Sequence, residues 1–226
     1  MALGDFLVRW PTVIPTALLL VSCSRRAPAL PPGDFAAVVQ DMERVTGSKG
    51  RPGRKLDHRD LTSLTVFEVT SSDVEGAPAR MVAQHQHRLL PAGAYLFVVD
   101  DFDERGGNHR YQLALARTGN QFDVLRLAGT DAANYDHTNS DVVAWLRALH
   151  AAEPLRITGA GQDFVEGFFL APIRDGASLA KQIYSFCPDF VDQGIGLEQH
   201  GPPEQLIQAY FRHNRGLSVI DLNRHA

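Results

Sequence analysis

The chain has 226 residues, 44% of them apolar and 21% charged, which is enough to bury a core without disulfides or metals and argues against general disorder. Its formal net charge of −4 lacks the strong basic excess of a nucleic-acid binder. There are two cysteines, Cys23 and Cys187, so once Cys23 is modified as described next a disulfide framework is excluded.

Residues 1–22 read as an export signal. The amino terminus and Arg9 stand against Asp5, and a mostly apolar stretch runs from Trp10 to Val21. That stretch is shorter than the about 20 apolar residues of a membrane span, and Pro11 and Pro15 disfavour a long helix. Leu20-Val21-Ser22-Cys23 resembles a lipobox. The thiol receives a diacylglyceryl group, and a small residue before it lets the peptidase reach the bond. Buried acyl chains contribute about 0.8 kcal/mol per CH₂, so several chains anchor a protein stably. Residues 23–33 form a polar, Pro-rich tether, and Ser24 after the cysteine resembles lipoproteins sent on to the outer membrane. The expectation is an envelope protein, lipid-anchored through Cys23 and facing the periplasm.

Residues 34–226 are expected to form one domain. Val38, Val39, Met42 and Val45 share a helical face, with Asp34 as its N-cap. The basic, Gly-rich run Thr46–Lys55 reads as a solvated loop, with contact to anionic headgroups as the alternative. Leu64 to Val69 is a predicted strand, Pro78 to Leu90 a helix, and Ala94 to Val99 a strongly apolar strand. An acidic turn, Asp100 to Asn108, comes next. Tyr111 to Ala116 and Phe122 to Leu127 are predicted as a hairpin around Thr118-Gly119-Asn120. Thr138 and Asp141 form a capping-box pattern ahead of the apolar stripe Val142, Val143, Leu146 and Leu149. Leu155 to Thr158 and Phe164 to Leu170 are strands. Asp175 opens a helix with Leu179, Ile183 and Phe186 on one side, stopped by Pro188. A last helix starts near Pro202, and Leu217 to Leu222 closes the chain as a strand. This mixture predicts an α+β fold with a mixed, mainly antiparallel sheet and helices packed on it.

Three segments carry a resemblance. They are Phe122–Asp136, Gly159–Glu166 and Ala180–Gly196, and the string Phe186-Cys187-Pro188-Asp189 followed by Gln193-Gly194 is the most specific. Over about residues 94–222 the chain resembles the bacterial domain-of-unknown-function family 4253. Members of that family tend to end in Trp-Trp-Asp. Here the end is Leu217-Ser218-Val219-Ile220-Asp221-Leu222, so a site lined by those tryptophans is altered. The resemblance implies a fold and no reaction.

Cys187 falls at a predicted helix C-terminus, where the dipole disfavours a thiolate, so it reads as a buried structural residue. Asp131, Asp136, Asp163, Asp189 and Asp192 can form an acidic cleft for acid–base work or serve as turn and cap residues. With Asn134, Cys187 and Gln193 they make up the candidate functional surface. Asp101 to Gly106 fails as a calcium loop, because Arg105 stands where Asp or Asn is needed and Gln112 replaces the closing Glu. His85 and His87 are two apart on a helix, hence on different faces, and the other histidines are scattered. Neither a metal nor a cofactor is expected. No complete catalytic set is present, so the sequence favours a non-catalytic, protein-binding module with an accessory or immunity-like role and no nucleic-acid partner. An envelope hydrolase using Asp carboxylates and a small-ligand or sugar-binding lipoprotein are the alternatives.

Overall fold

The computed structural model describes residues 30, 32–56, 59–71, 77–100, 104–105, 108–195 and 201–213. Cys23, the predicted export signal, most of the predicted tether, much of the acidic turn and the predicted strand Leu217–Leu222 lie outside them. Among the described residues no helix is long and apolar enough to cross a membrane.

Helix α1 spans Phe35–Thr46, and Asp34 caps it by accepting the Ala37 N–H at 2.9 Å. Val38 and Met42 are fully buried, while Gly47 ends the helix at φ 68°, a backbone conformation that favours glycine. The basic loop after it carries strand β1 (Arg51–Pro52), with Lys49 paired to Glu43 and Arg51 to Glu68. Strand β2 (Thr65–Ser71), helix α2 (Ala77–Leu89) and strand β3 (Tyr95–Asp100) follow. Within the acidic turn the short strand β4 (Glu104–Arg105) pairs with β5 (Asn108–Ala116).

The hairpin expected around Thr118-Gly119-Asn120 is not formed. Residues Gln121–Ala128 are helix α3 instead. Asn120 caps it by accepting the Phe122 N–H at 3.1 Å, and Gly129 closes it in the left-handed region. The buried residues Phe122, Leu125 and Ala128 recur every three positions, which is a helical spacing that the short apolar run had hidden.

Helix α4 (Asn139–Ala152) has the predicted capping box between Thr138 and Asp141, and its stripe Val142, Val143, Leu146 and Leu149 is buried. Strands β6 (Leu155–Ala160) and β7 (Val165–Phe169) pair antiparallel, then α5 (Gly176–Phe186) and α6 (Pro203–His213) complete the described chain. Among the described residues the strand order is β1-β2-β5-β3-β6-β7, with β4 on β5, and only β3 and β6 run parallel. The α+β fold with a mixed, mainly antiparallel sheet is therefore present.

Helices cover both faces of its centre. Leu96, Val98, Leu113 and Leu115 pack with Val38, Met42, Val82 and Leu89 of α1 and α2. Tyr95, Phe97, Val99, Ala114 and Ala116 pack with the apolar sides of α3 to α6. Covering on both faces explains why Ala94 to Val99 is apolar without alternation.

The junction of β3 and β6 is held mostly by side chains. Its backbone register is the single pair Val98↔Gly159. Lower down, Gln121 accepts the Ile157 N–H at 3.1 Å and donates to the Leu155 carbonyl at 3.2 Å. Gln86 donates to the carbonyls of both Leu96 and Ile157 at 2.9 Å, and the Tyr95 hydroxyl donates to Ile157 at 2.7 Å. His150 Nδ1 accepts the Leu155 N–H at 3.1 Å. Burial holds the Tyr95 phenol far above its ordinary range, so it stays a donor. Replacing Gln121 by Leu strands two backbone groups of β6 and is expected to cost about 1–3 kcal/mol. Urea unfolding measures this, and an unchanged midpoint would show that water or relaxation replaces the amide.

On the other face, Asp41 of α1 is buried and binds Arg88 of α2 and, at 2.9 Å, Arg44. His85 faces this pair, with Nδ1 at 3.3 Å from Arg88. Burial and then the Arg88 charge hold the His85 pKa below 6.5, with Asp41 opposing. The unfolded chain therefore binds the extra proton first, and stability falls as pH drops from 6.5 toward the folded pKa. His85→Gln is expected to shrink the loss of stability between about pH 7 and pH 5. Denaturant curves at the two pH values test this, and an unchanged difference would remove His85 from the account.

Candidate functional site

The predicted site residues lie on three adjoining segments. After α3, Gly129 turns the chain in the left-handed region, and Thr130 is fully buried with its hydroxyl donating to the Gly161 carbonyl at 2.6 Å. Asp131 is half-buried, and its N–H donates to Gln162 at 2.8 Å. Asn139 reinforces the same loop by donating to Leu125 and Thr130 carbonyls at 2.8 and 2.6 Å. The loop 129–137 is thus fastened to the turn between β6 and β7. That turn is tight: a Cβ on Gly161 would stand 2.1 Å from the Phe164 ring.

A 3₁₀ turn, Ala133–Tyr135, exposes Asn134, and Asp136 closes it at φ 57° with its side chain exposed. Asp163 is half-buried at the tip between β6 and β7. Cys187 is fully buried at the end of α5, and its N–H donates to Ile183 at 2.8 Å. Pro188 stops the helix, and its carbonyl accepts the N–H groups of Val191 and Asp192. A single wide turn, Phe190–Ile195, follows; Asp192 on it is exposed, and the Gln193 side chain lies outside the described residues.

The contact joining the first and third segments is between Tyr135 and Asp189. The Tyr135 hydroxyl donates to the buried Asp189 carboxylate, and the Asp189 N–H donates back to the phenol oxygen. Loss of solvation at the hydroxyl, then the bond to Asp189 and its charge, then Cys187, push the Tyr135 pKa well above the ordinary tyrosine range.

Beside this contact three rings form a stack. Phe186 lies parallel to His137 on one side and to Trp145 of α4 on the other, each at 4.3 Å between centroids with interplanar angles of 1° and 7°. All three are half-buried, and Asp136, Asp141 and Asn134 are exposed on the segments that carry two of them. Sequence reading placed Phe186 on an apolar helix face and overlooked Tyr135, His137 and Trp145. The available signal was Trp145, a large ring at the margin of the α4 apolar stripe.

Among the described residues no three His, Cys, Asp or Glu side chains are grouped to hold a metal. A small hollow beside β7, lined by Leu146, Leu155, Ile157, Val165 and Phe169, measures about 10 Å³, the lower limit for a single water.

Residues 112–215 match the family model described as a domain of unknown function (DUF4253). The DUF4253 segment runs from within β5 past the end of α6 and takes in all three segments that meet here, beginning later than the Ala94 expected from sequence. No curated protein and no solved structure matches the chain.

Tyr135→Phe deletes the donor to a buried carboxylate and is expected to destabilise the protein by about 1–3 kcal/mol. Thermal and urea unfolding measure it. Wild-type stability in the variant would show that the contact does not fasten the two segments.

Proposed function

We propose that this chain is an exported lipoprotein, anchored through Cys23, whose folded part binds another envelope protein without catalysing a reaction. The observation that carries the binding role is the stack of His137, Phe186 and Trp145. Aromatic side chains are enriched at the centres of protein interfaces, where rigid rings supply contact area at low entropic cost. Exposed Asp136, Asp141 and Asn134 supply a polar, acidic rim, which suits a partner presenting basic side chains around an apolar anchor. The buried carboxylate of the region, Asp189, is occupied in fastening Tyr135, which favours a scaffold role over acid–base work. Leu20-Val21-Ser22-Cys23 supports the anchor and the envelope location.

The full-length chain, tagged and extracted in detergent, is the bait for crosslinking in an envelope extract read by mass spectrometry. A single stoichiometric partner is expected, captured at least about tenfold less by Trp145→Ala or His137→Ala when equal amounts of folded protein are compared. Capture that ignores both variants, or no partner above background, would sink the binding face. Independently, Cys23→Ser is expected to release the protein from the membrane fraction and to abolish acyl-chain labelling. A protein that stays soluble with Cys23 intact would overturn the anchor alone.

A further inference from the structure

A buried ion cluster joins the first two helices. The Asp41 carboxylate of α1 accepts from Arg44 at one oxygen and from Arg88 of α2 at the other. The side chains of Asp41 and Arg88 are only 4% and 14% exposed, so their pair is closed to water, whereas Arg44 reaches into solvent. Arg88 Nη2 bonds Asp41 and also faces His85 Nδ1 at 3.3 Å. A guanidinium has donors and no acceptor, so His85 Nδ1 is the acceptor of this contact and its ring is neutral.

A proton on Nδ1 turns the contact into donor against donor and cation against cation. Both Asp41 oxygens already accept from arginines, so a charged His85 gains a carboxylate only by displacing one of them. The charged and titratable groups acting on His85 are Arg88 and His87 of its own helix and Asp41 of α1, with Arg44 behind Asp41. From the sheet, β3 offers Leu96 and Val98 to this side, Arg156 of β6 alternates onto it, and Arg117 of β5 lies over Phe35 at the start of α1.

The element held by the cluster is able to open alone. Val38 and Met42 of α1 are buried with residues of α2 and the sheet, in a cluster to which no described residue of α3 to α6 belongs. At 12 residues, α1 has a length at which an isolated helix is marginal in water, so its helicity depends on that attachment.

We propose that Asp41, Arg88 and His85 form a proton-operated latch: a proton on His85 displaces Arg88 from Asp41 and releases α1 from α2 and the sheet, while the layer of α3 to α6 stays folded. One consequence rests on the lipoprotein reading proposed above. There α1 is the first element after the tether, and its unwinding adds up to about 40 Å of reach between Cys23 and the sheet.

The test follows amide hydrogen exchange of the full-length chain in detergent at about pH 7.5 and about pH 5.5, each corrected for the intrinsic rate at that pH. An open chain takes up its proton near pH 6.5, so a closed latch that excludes the proton opens about tenfold more often at the lower pH. Protection of Phe35–Thr46 is therefore expected to fall about tenfold while that of Asn139–Ala152 holds within about twofold. In His85→Gln, whose neutral amide keeps an acceptor facing Arg88, the fall in α1 is expected to be less than about twofold. Constant protection of α1 in the wild-type chain overturns the latch, as does an equal fall in α1 and α4, which marks global destabilisation. So does a fall in α1 that His85→Gln leaves unchanged. The wild-type comparison of the two helices decides even where the variant fails to fold. Membrane release of Cys23→Ser reads the anchor and these exchange rates read the latch, so the two fail separately.

Discussion

The architecture depends on the side-chain bridging between β3 and β6. Backbone groups two residues apart on a strand point to the same edge, and those of Leu155 and Ile157, ahead of the register shift before Gly159, are met by side chains. Only Gly159 stands in register with a β3 residue. Left alone, the polar groups of Leu155 and Ile157 would be buried without partners, at a cost comparable to several lost hydrogen bonds. Gln86 reaches them from α2, Tyr95 from β3, Gln121 from α3 and His150 from α4. Four elements from both sides of the sheet thus converge on two residues of one strand. Such a network is a strong specifying device, because any other placement of α2, α3 or α4 would leave several of its members unsatisfied.

The candidate site inherits its order from that junction. Once β6 is fixed, the turn at Gly161 and Gln162 is fixed, and it holds the loop after α3 through Thr130 and Asp131. That loop carries Tyr135 to Asp189 and His137 to Phe186. Glu153, buried at the end of α4, accepts the Arg174 N–H at 3.0 Å and so ties the approach to α5 against the helix bearing Trp145. The three rings therefore come from three segments that are each restrained by a hydrogen bond to a group outside the stack. A face restrained in this way loses little conformational entropy when something binds to it.

Much of this was legible in the sequence, and the failures have physical causes. Caps were readable because they are local: Asp34, Thr138 with Asp141, and Asp175 each act within three residues of themselves. Buried stripes such as Val142, Val143, Leu146 and Leu149 were readable because a helix repeats them. The run Phe122 to Leu127 misled because six residues with apolar positions at 122, 124, 125 and 127 satisfy either period; Asn120 and Gly129, which bound α3, were the deciding signals. The segments that carry the carboxylates of the candidate surface adjoin. Their roles were not legible, because whether an Asp is exposed, as at Asp136, or buried against a tyrosine, as at Asp189, depends on a partner 54 positions away in the chain for the Tyr135–Asp189 pair.

The string Phe186-Cys187-Pro188-Asp189 owes its specificity to structural demands. Each of its four residues answers a different structural demand in one turn of chain. Phe186 needs a flat ring between His137 and Trp145. Cys187 is fully buried where the helix ends, a place suited to a small apolar side chain. Pro188 cannot continue α5, yet its carbonyl receives two N–H groups of the wide turn that follows, at 2.8 and 3.0 Å. Asp189 must be an acceptor at a buried site where a phenol donates. Four independent demands on four consecutive residues make the string specific. The residues that make the motif recognisable hold the stack in place, while Asn134 and Asp136 are exposed beside it and Asp141 is spent on the cap of α4.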